Sequence, residues 1–269
     1  MKKYILLVLL FCSFASFSQQ KEIILASWNI RDFGKTKNTE ELEQIAEILR
    51  DTDIIAIQEV VAGYGGAQAV AKLSDILNRK GAKWDYVISD PTNSSKYVTE
   101  RYAFIWKTSN IKIENRGKLI AALDSKVDRE PFTINFYLTS KVLQVINFHS
   151  RPHDNNPQAE IKAISEHIVN AKTGSLIFAG DFNTTEQDPV FNTLKSNGFV
   201  PALVEQKTTL KRSCTGLEYL NHAIDNVFYS KDLTYIESGV LDFVMSCDQL
   251  DKAHKLSDHL PVYIKFSLN

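Results

Sequence analysis

Polar side chains stand where short apolar runs end or are interrupted. Asn29 closes the run Ile23–Trp28, Glu59 follows Ile54–Ile57, and His149 follows Val142–Phe148. Asp181 and Asn183 follow Leu176–Ala179, Asp225 lies inside Ile224–Tyr229, and Asp258 with His259 precedes Val262–Phe266. A carboxylate at the end of a buried strand is costly unless it is paired or bound to a metal. Side chains of this kind, brought together on one rim of a layered sheet, are what a ligand site requires. Their types set the chemistry. Carboxylate and amide oxygens suit a hard divalent cation, and imidazole takes or gives a proton near neutral pH. Singly, each has an ordinary role: Asn29 caps a turn, Glu59 joins a surface ion pair, Asp181 and Asn183 form a turn after Gly180, and His149 is a satisfied core histidine. The whole set together is much harder to explain that way.

The elements that must position them are legible as alternating strand and helix patterns. Besides the runs above, Phe104–Trp106 and Ile134–Leu138 read as strands. Several are apolar at successive positions, as strands buried on both faces are. Leu42, Ile45, Ala46 and Leu49 recur at helical spacing behind Asn38 and Glu41, a capping box. Val70, Leu73, Ile76 and Leu77 form a second stripe, closed by Gly81; Ile161, Ile164 and Ile168 form a third, opened by Pro157 and closed by Gly174. Strands covered by helices define an α/β sandwich. With 269 residues, 44% of them hydrophobic, and no linker-like stretch, the chain reads as one domain.

The N-terminus has a different chemistry. Lys2 and Lys3 precede a 14-residue apolar run, Tyr4 to Phe17, interrupted by Ser13 and Ser16. This is the layout of a secretory signal peptide over residues 1–18, and it falls short of the roughly 20 residues that span a bilayer. The expected location is secreted or periplasmic, with residues 19–269 as the mature domain. Cleavage takes the 31 basic residues to 29 against 32 acidic ones, moving the net charge from −1 to −3. That excludes a strongly basic body that holds nucleic acid by charge alone. Cys214 and Cys247 remain after cleavage, and an oxidising destination leaves a disulfide between them open.

The segments SWNIRDFGKTK, IIAIQEV, ERYAFIWK, REPF, NFHSRPHDNNPQAEI, GDFN, AIDNVFY and SDHLPV, in this order from about Ile24 to Val262, resemble the deoxyribonuclease I branch of the endonuclease/exonuclease/phosphatase superfamily. GDFN and SDH mark the superfamily; NIRxFG with ERY and REP points to the branch. The resemblance implies a four-layered α/β (α+β) sandwich of two packed mixed β-sheets flanked by helices. It also implies a secreted, monomeric, metal-dependent endonuclease that hydrolyses DNA with little sequence specificity and does not insert into membranes.

Carried over residue by residue, the resemblance places Asn29, Glu59, Asp181 and Asp258 around a divalent cation, Mg²⁺ or Mn²⁺ with Ca²⁺ as a further candidate. It sets Glu100 behind His149 and Asp225 behind His259, puts Asn183 on the phosphoryl oxygens, and gives Arg31 and Arg129 to the phosphate. The chemistry calls for these types independently. A phosphodiester's negative oxygens repel a nucleophile, so developing charge must be neutralised, and one group must accept a proton while another supports the leaving oxygen. Two positions depart from the branch: Val61 replaces an arginine that enters the minor groove, and Val98 replaces an aromatic residue that stacks on sugar, with Tyr97 beside it. Two other functions are open to the same residues: a superfamily enzyme acting on phospholipid headgroups or small phosphoesters, and a non-catalytic binding protein.

Overall fold

The computed structural model describes residues 21–138, 141–171 and 174–268; the expected signal peptide lies outside the described residues. In chain order these form β1 (Ile23–Phe33), α1 (Thr39–Leu49), β2 (Ile54–Val61), α2 (Gly66–Asn78), β3 (Trp84–Ile88), β4 (Glu100–Lys107), β5 (Ile111–Ile113), β6 (Lys118–Leu119), β7 (Phe132–Leu138) and β8 (Lys141–His149). There follow α3 (Pro157–Ala171), β9 (Ser175–Asp181), α4 (Asn192–Ser196), β10 (Phe199–Pro201), β11 (Leu210–Thr215), β12 (Glu218–Leu220), β13 (Asp225–Ser230), β14 (Leu233–Val240), α5 (Leu250–Leu256) and β15 (Val262–Leu268).

Six strands form one sheet in the order β14-β15-β1-β2-β4-β3, and a second runs β10-β13-β9-β8-β7-β5 with β6 beside β7. Each sheet is antiparallel except for one parallel pair, β1 with β2 and β8 with β9. Parallel neighbours need a crossover, and these are bridged by α1 and α3. Three of the buried apolar clusters form layers, and a smaller fourth, with Leu210, Val244 and Leu260, lies around α5. Leu25, Ile54 and Phe104 meet Phe136, Val145 and Ile177 between the sheets. Trp28, Ile57 and Ile105 pack under α1 and α2, while Phe148 and Phe178 pack under α3 and α4. Three cores imply four layers, helices on sheet on sheet on helices, which is the expected fold. It also explains the apolar runs, because both faces of the central strands are covered.

The capping box forms as read: Asn38 Oδ1 accepts the Glu41 amide and Glu41 Oε2 accepts the Asn38 amide, both at 2.9 Å. The strands that periodicity missed lie at edges or in hairpins. In β14, residues 234–237 are exposed, so no apolar run marks it. Cys214 and Cys247 are bonded, tying β11 to the turn ahead of α5. Among the described residues, no helix is long and apolar enough to cross a membrane.

Phe182 links the core under α3 and α4 to the polar rim. Its ring lies 4.9 Å from Phe178 and 5.4 Å from both Phe191 and Phe228, edge-on to each. Phe182→Ala should lower the unfolding free energy by about 3–5 kcal/mol, read from the shift of a urea midpoint. A loss below about 1 kcal/mol would show that the cluster collapses around the gap.

Candidate active site

Register assembles half of the site on the second sheet. His149 on β8 pairs with Asp181 on β9, and Asp181 pairs with Asp225 on β13, so one row across three strands carries all three side chains. Strand ends coincide there because β13 runs antiparallel and begins where β8 and β9 end. The close approach of β8 and β9 just before that row depends on Gly180: a Cβ at its φ of +150° would meet the Phe148 carbonyl oxygen at 1.8 Å.

The first sheet supplies the opposing half through two irregularities. Register breaks between Asn29 and Phe33 in β1 and between Ile57 and Val60 in β2. Glu59 sits in the second break with φ +59°, a strained value for a non-glycine residue of the kind found at functional sites. Its carboxylate turns toward β1, accepting Asn29 Nδ2 at 3.0 Å on Oε1 and the Asp32 amide at 3.0 Å on Oε2. Asn29 Nδ2 also reaches Asp181 Oδ2 at 3.2 Å across the two sheets. Asn29 Oδ1 is buried with no hydrogen-bond partner.

Two imidazoles complete the constellation. His149 Nδ1 lies 3.1 and 3.0 Å from the two oxygens of Glu100, and His259 Nδ1 lies 3.1 and 2.9 Å from those of Asp225. The opposite nitrogens converge: His149 Nε2 is 3.6 Å and His259 Nε2 3.8 Å from the same oxygen, Asp181 Oδ2. Burial pulls the His259 pKa down, but Asp225 and Asp181 outweigh it and push it up to about 10. Burial likewise disfavours charge on His149, and Glu100 more than offsets it, so its pKa is also raised. With folded values above the ordinary one near 6.5, these rings stabilise the metal-free fold fully below that pH. At His259 the contribution is lost as pH rises through about 10. Glu100 is driven up by burial but held below its usual value by His149 and Arg129. Asp181 is raised, first by burial and then by repulsion from Asp225. A cation beside it would relieve both effects.

The remaining residues named from the sequence are placed differently. Asn183, with φ +49°, donates its amide to Asp181 Oδ1 at 3.0 Å and its Nδ2 to the Ser150 carbonyl at 3.2 Å, which sets it beside the row. Arg129 was expected to reach the phosphate. It lines a cleft with Glu59, Glu100 and His149 but is buried: Nε donates to the Val98 carbonyl at 3.1 Å and sits 3.0 Å from Glu100 Oε2, and Nη1 donates to the Ser150 carbonyl. It therefore braces Glu100 instead of standing free. Arg31 is half-exposed, donating to the His254 carbonyl, and its Nη1 lies 3.7 Å from Asp258 Oδ2. Asp258, expected among the cation's ligands, lies at that distance from Arg31 and directly precedes His259.

Other residues that position the site went unnamed. The Thr208 hydroxyl donates to Asp225 Oδ2 at 2.6 Å, and the Trp28 indole donates to the His259 carbonyl at 2.7 Å. Ser257 donates to the Asn29 carbonyl at 2.6 Å and accepts the His259 amide at 3.1 Å. Between the sheets, Gln58 Nε2 donates to Asn147 Oδ1 at 2.6 Å, one residue before Glu59 and two before His149. A glutamine and an asparagine inside strands were the available signal, since buried amides must find partners.

For a divalent cation, the donor set fits. Asp181, Asp225 and His259 offer atoms within 4.8 Å of one another, but Asp225 already commits both oxygens to His259. Asn29 Nδ2 touches Glu59 Oε1 and Asp181 Oδ2 while its Oδ1 is unpartnered; with the amide turned over, Oδ1 would join those two carboxylates in an all-oxygen set of the kind Mg²⁺ and Mn²⁺ take.

The endonuclease/exonuclease/phosphatase family pattern matches residues 26–259. Among curated proteins, the chain is 29% identical to a deoxyribonuclease of Thioalkalivibrio sp. (strain K90mix), over 92% of this chain and 72% of that protein. It is 33% identical to deoxyribonuclease-1 of Oryctolagus cuniculus, over 59% of this chain and 60% of the relative. Among solved structures it superposes on a mannosyl-6-phosphatase of Bacteroides thetaiotaomicron with TM-score 0.65 at 15% identity, covering 91% of this chain and all of that one. With the family pattern running from β1 to the histidine ahead of β15, this chain belongs to the endonuclease/exonuclease/phosphatase family.

Proposed function

We propose that this protein is a secreted, divalent-metal-dependent endonuclease that hydrolyses the DNA backbone with little sequence specificity. Residues 1–18 act as its signal peptide and 19–269 as its catalytic domain. The observation that carries the reading is the convergence of two carboxylate-backed imidazoles on one Asp181 oxygen. Hydrolysis of a phosphodiester needs one group to take the proton from the attacking water and another to give one to the departing oxygen. His149 and His259 supply that pair, with Glu100 and Asp225 fixing each Nδ1–H tautomer and aiming Nε2 at the reacting phosphorus. Asn183 orients the phosphoryl oxygens through its side-chain amide, and Arg31 meets the phosphate from the solvent side. Asn29, Glu59 and Asp181 hold the cation. When bound, the ion supplies the positive charge that the phosphoryl oxygens require.

The mature protein is expected to relax supercoiled plasmid in Mg²⁺ or Mn²⁺ and to stop when EDTA is added, read on an agarose gel. A metal-loaded protein that leaves plasmid, linear DNA and RNA intact would remove this reading. The second reading, hydrolysis of small phosphoesters by the same site, draws on the solved phosphatase that shares the fold. It is favoured if sugar phosphates are hydrolysed and plasmid is not.

A further inference from the structure

We propose that Glu160, a buried carboxylate of α3, is a positioning residue for both His149 and Asn183, because it fixes the peptide whose carbonyl holds Arg129 and Asn183 together. This rests on the phosphodiesterase reading above. Glu160 lies in the first turn of α3 and is fully buried. Its two oxygens gather donors from two separate segments. Oε2 accepts the Arg151 amide at 2.8 Å and the Ser150 hydroxyl at 3.4 Å. Oε1 accepts the Asp128 amide and lies 3.2 Å from Arg151 Nε. Asp128 directly precedes Arg129, and Ser150 directly follows His149.

The Arg151 N–H and the Ser150 C=O belong to one peptide unit, which is planar and rigid. A carboxylate that grips the N–H end therefore sets the direction of the carbonyl at the other end. That carbonyl accepts Arg129 Nη1 at 3.1 Å and Asn183 Nδ2 at 3.2 Å. On one side the contacts continue from Arg129 Nε to Glu100 Oε2 at 3.0 Å, and from Glu100 to His149 Nδ1. On the other they end at Asn183, whose amide nitrogen keeps a second N–H for the substrate. The Ser150 amide adds a further tie, donating to the Asp181 carbonyl at 2.9 Å. A charged acceptor on the Arg151 N–H also strengthens the carbonyl as an acceptor, since hydrogen bonds in series polarise one another.

An ion pair with Arg151 accounts for the charge of Glu160 but not for this arrangement. Arg151 also has a second carboxylate, with Nη2 donating to Asp128 Oδ1 at 2.9 Å. Besides the guanidinium, Glu160 takes two backbone amides and a hydroxyl. The rest of this helix's buried face packs through Ile161, Ile164 and Ile168, and replacing a buried ion pair by apolar side chains is often neutral for stability. What an apolar residue at position 160 lacks is any hold on two backbone amides. Without that hold the Ser150 carbonyl is free to move, and a displacement of about 1 Å away from the chemistry can cost on the order of 100-fold in rate.

The test measures kcat and KM of the full mature chain in Mn²⁺ on plasmid and on bis(p-nitrophenyl) phosphate, normalised to the folded fraction by circular dichroism. Glu160→Gln must turn an NH₂ group toward one set of donors, and it should lower kcat by about 10- to 100-fold with KM within a few-fold. Glu160→Asp keeps the charge opposite Arg151 but withdraws the carboxylate by one methylene. It should fold and lose kcat in the same way, which carries the test if the glutamine variant is unstable. Arg151→Gln removes the ion pair and leaves the other donors, so it should lower the melting temperature and keep kcat within a few-fold of wild type. In an Asn183→Ala background the loss from Glu160→Gln should shrink, because the two residues act in one chain of contacts. Wild-type kcat in folded Glu160→Asp overturns the proposal, as do losses that multiply in full with Asn183→Ala. An Arg151→Gln loss equal to that of Glu160→Gln would make Glu160 a partner for charge alone, and unfolding of both Glu160 variants would make it a residue of the fold; either result overturns the proposal too. A wild-type enzyme that hydrolyses neither substrate overturns the phosphodiesterase reading itself.

Discussion

His149→Ala is expected to lower kcat on plasmid DNA by about 10²- to 10⁴-fold, the range that positioned general acid/base groups supply. The ring bonds both oxygens of Glu100 through Nδ1 and turns Nε2 toward the focus it shares with His259. Alanine removes the proton carrier, and water cannot keep both the position and the tautomer. Fold should survive, because Glu100 keeps Arg129 at 3.0 Å and the Glu59 amide at 3.3 Å. The measurement is single-turnover nicking at saturating Mn²⁺, with circular dichroism to confirm folding. Glu100→Gln gives the intermediate case: the ring stays, its orienting charge goes, and the loss should be smaller. A His149→Ala enzyme within a few-fold of wild type would mean that proton transfer here runs without this imidazole.

Glu59→Gln should weaken Mn²⁺ binding by more than the roughly 10- to 100-fold seen when a residue that merely supports a ligand is lost. Both Glu59 oxygens accept hydrogen bonds, from Asn29 Nδ2 and from the Asp32 amide. A glutamine has one acceptor oxygen, so its NH₂ group must face a donor, and the negative charge that holds the ion is gone. Isothermal titration with Mn²⁺ measures the affinity directly. Activity should vanish at micromolar metal and return in part at millimolar metal. Unchanged affinity would place the cation elsewhere, with the cluster of Asp181, Asp225 and His259 as the first alternative.

Much of the molecule is legible in its sequence. The strands read from apolar runs became the central strands of the two sheets, because burial on both faces leaves an unbroken signature. The capping box at Asn38 formed because both halves are local, three residues apart. Edge strands such as β14 escaped because an exposed strand carries no such signature. Within the site, the resemblance names Arg129 for the phosphate, and the fold adds that it is buried against Glu100. A guanidinium matches a substrate phosphate and a neighbouring carboxylate about equally well, and spacing cannot tell which will be nearer. Asp258, named for the cation, lies 3.7 Å from Arg31 Nη1, and its neighbour His259 faces the focus.

By itself, the sequence determined which side chains are available at strand ends, their chemical types and the layered architecture, because these follow from local periodicity and from the cost of burying charge. Tertiary structure alone decided which of them meet. The row His149–Asp181–Asp225 is a matter of register across three strands, and Glu59 and Asn29 reach it only through breaks in β1 and β2. The pairing of Cys214 with Cys247 and the bracing of Glu100 by Arg129 are likewise long-range. Distances of 3 to 4 Å between residues up to 152 positions apart depend on how the two sheets stack, and no local pattern encodes that.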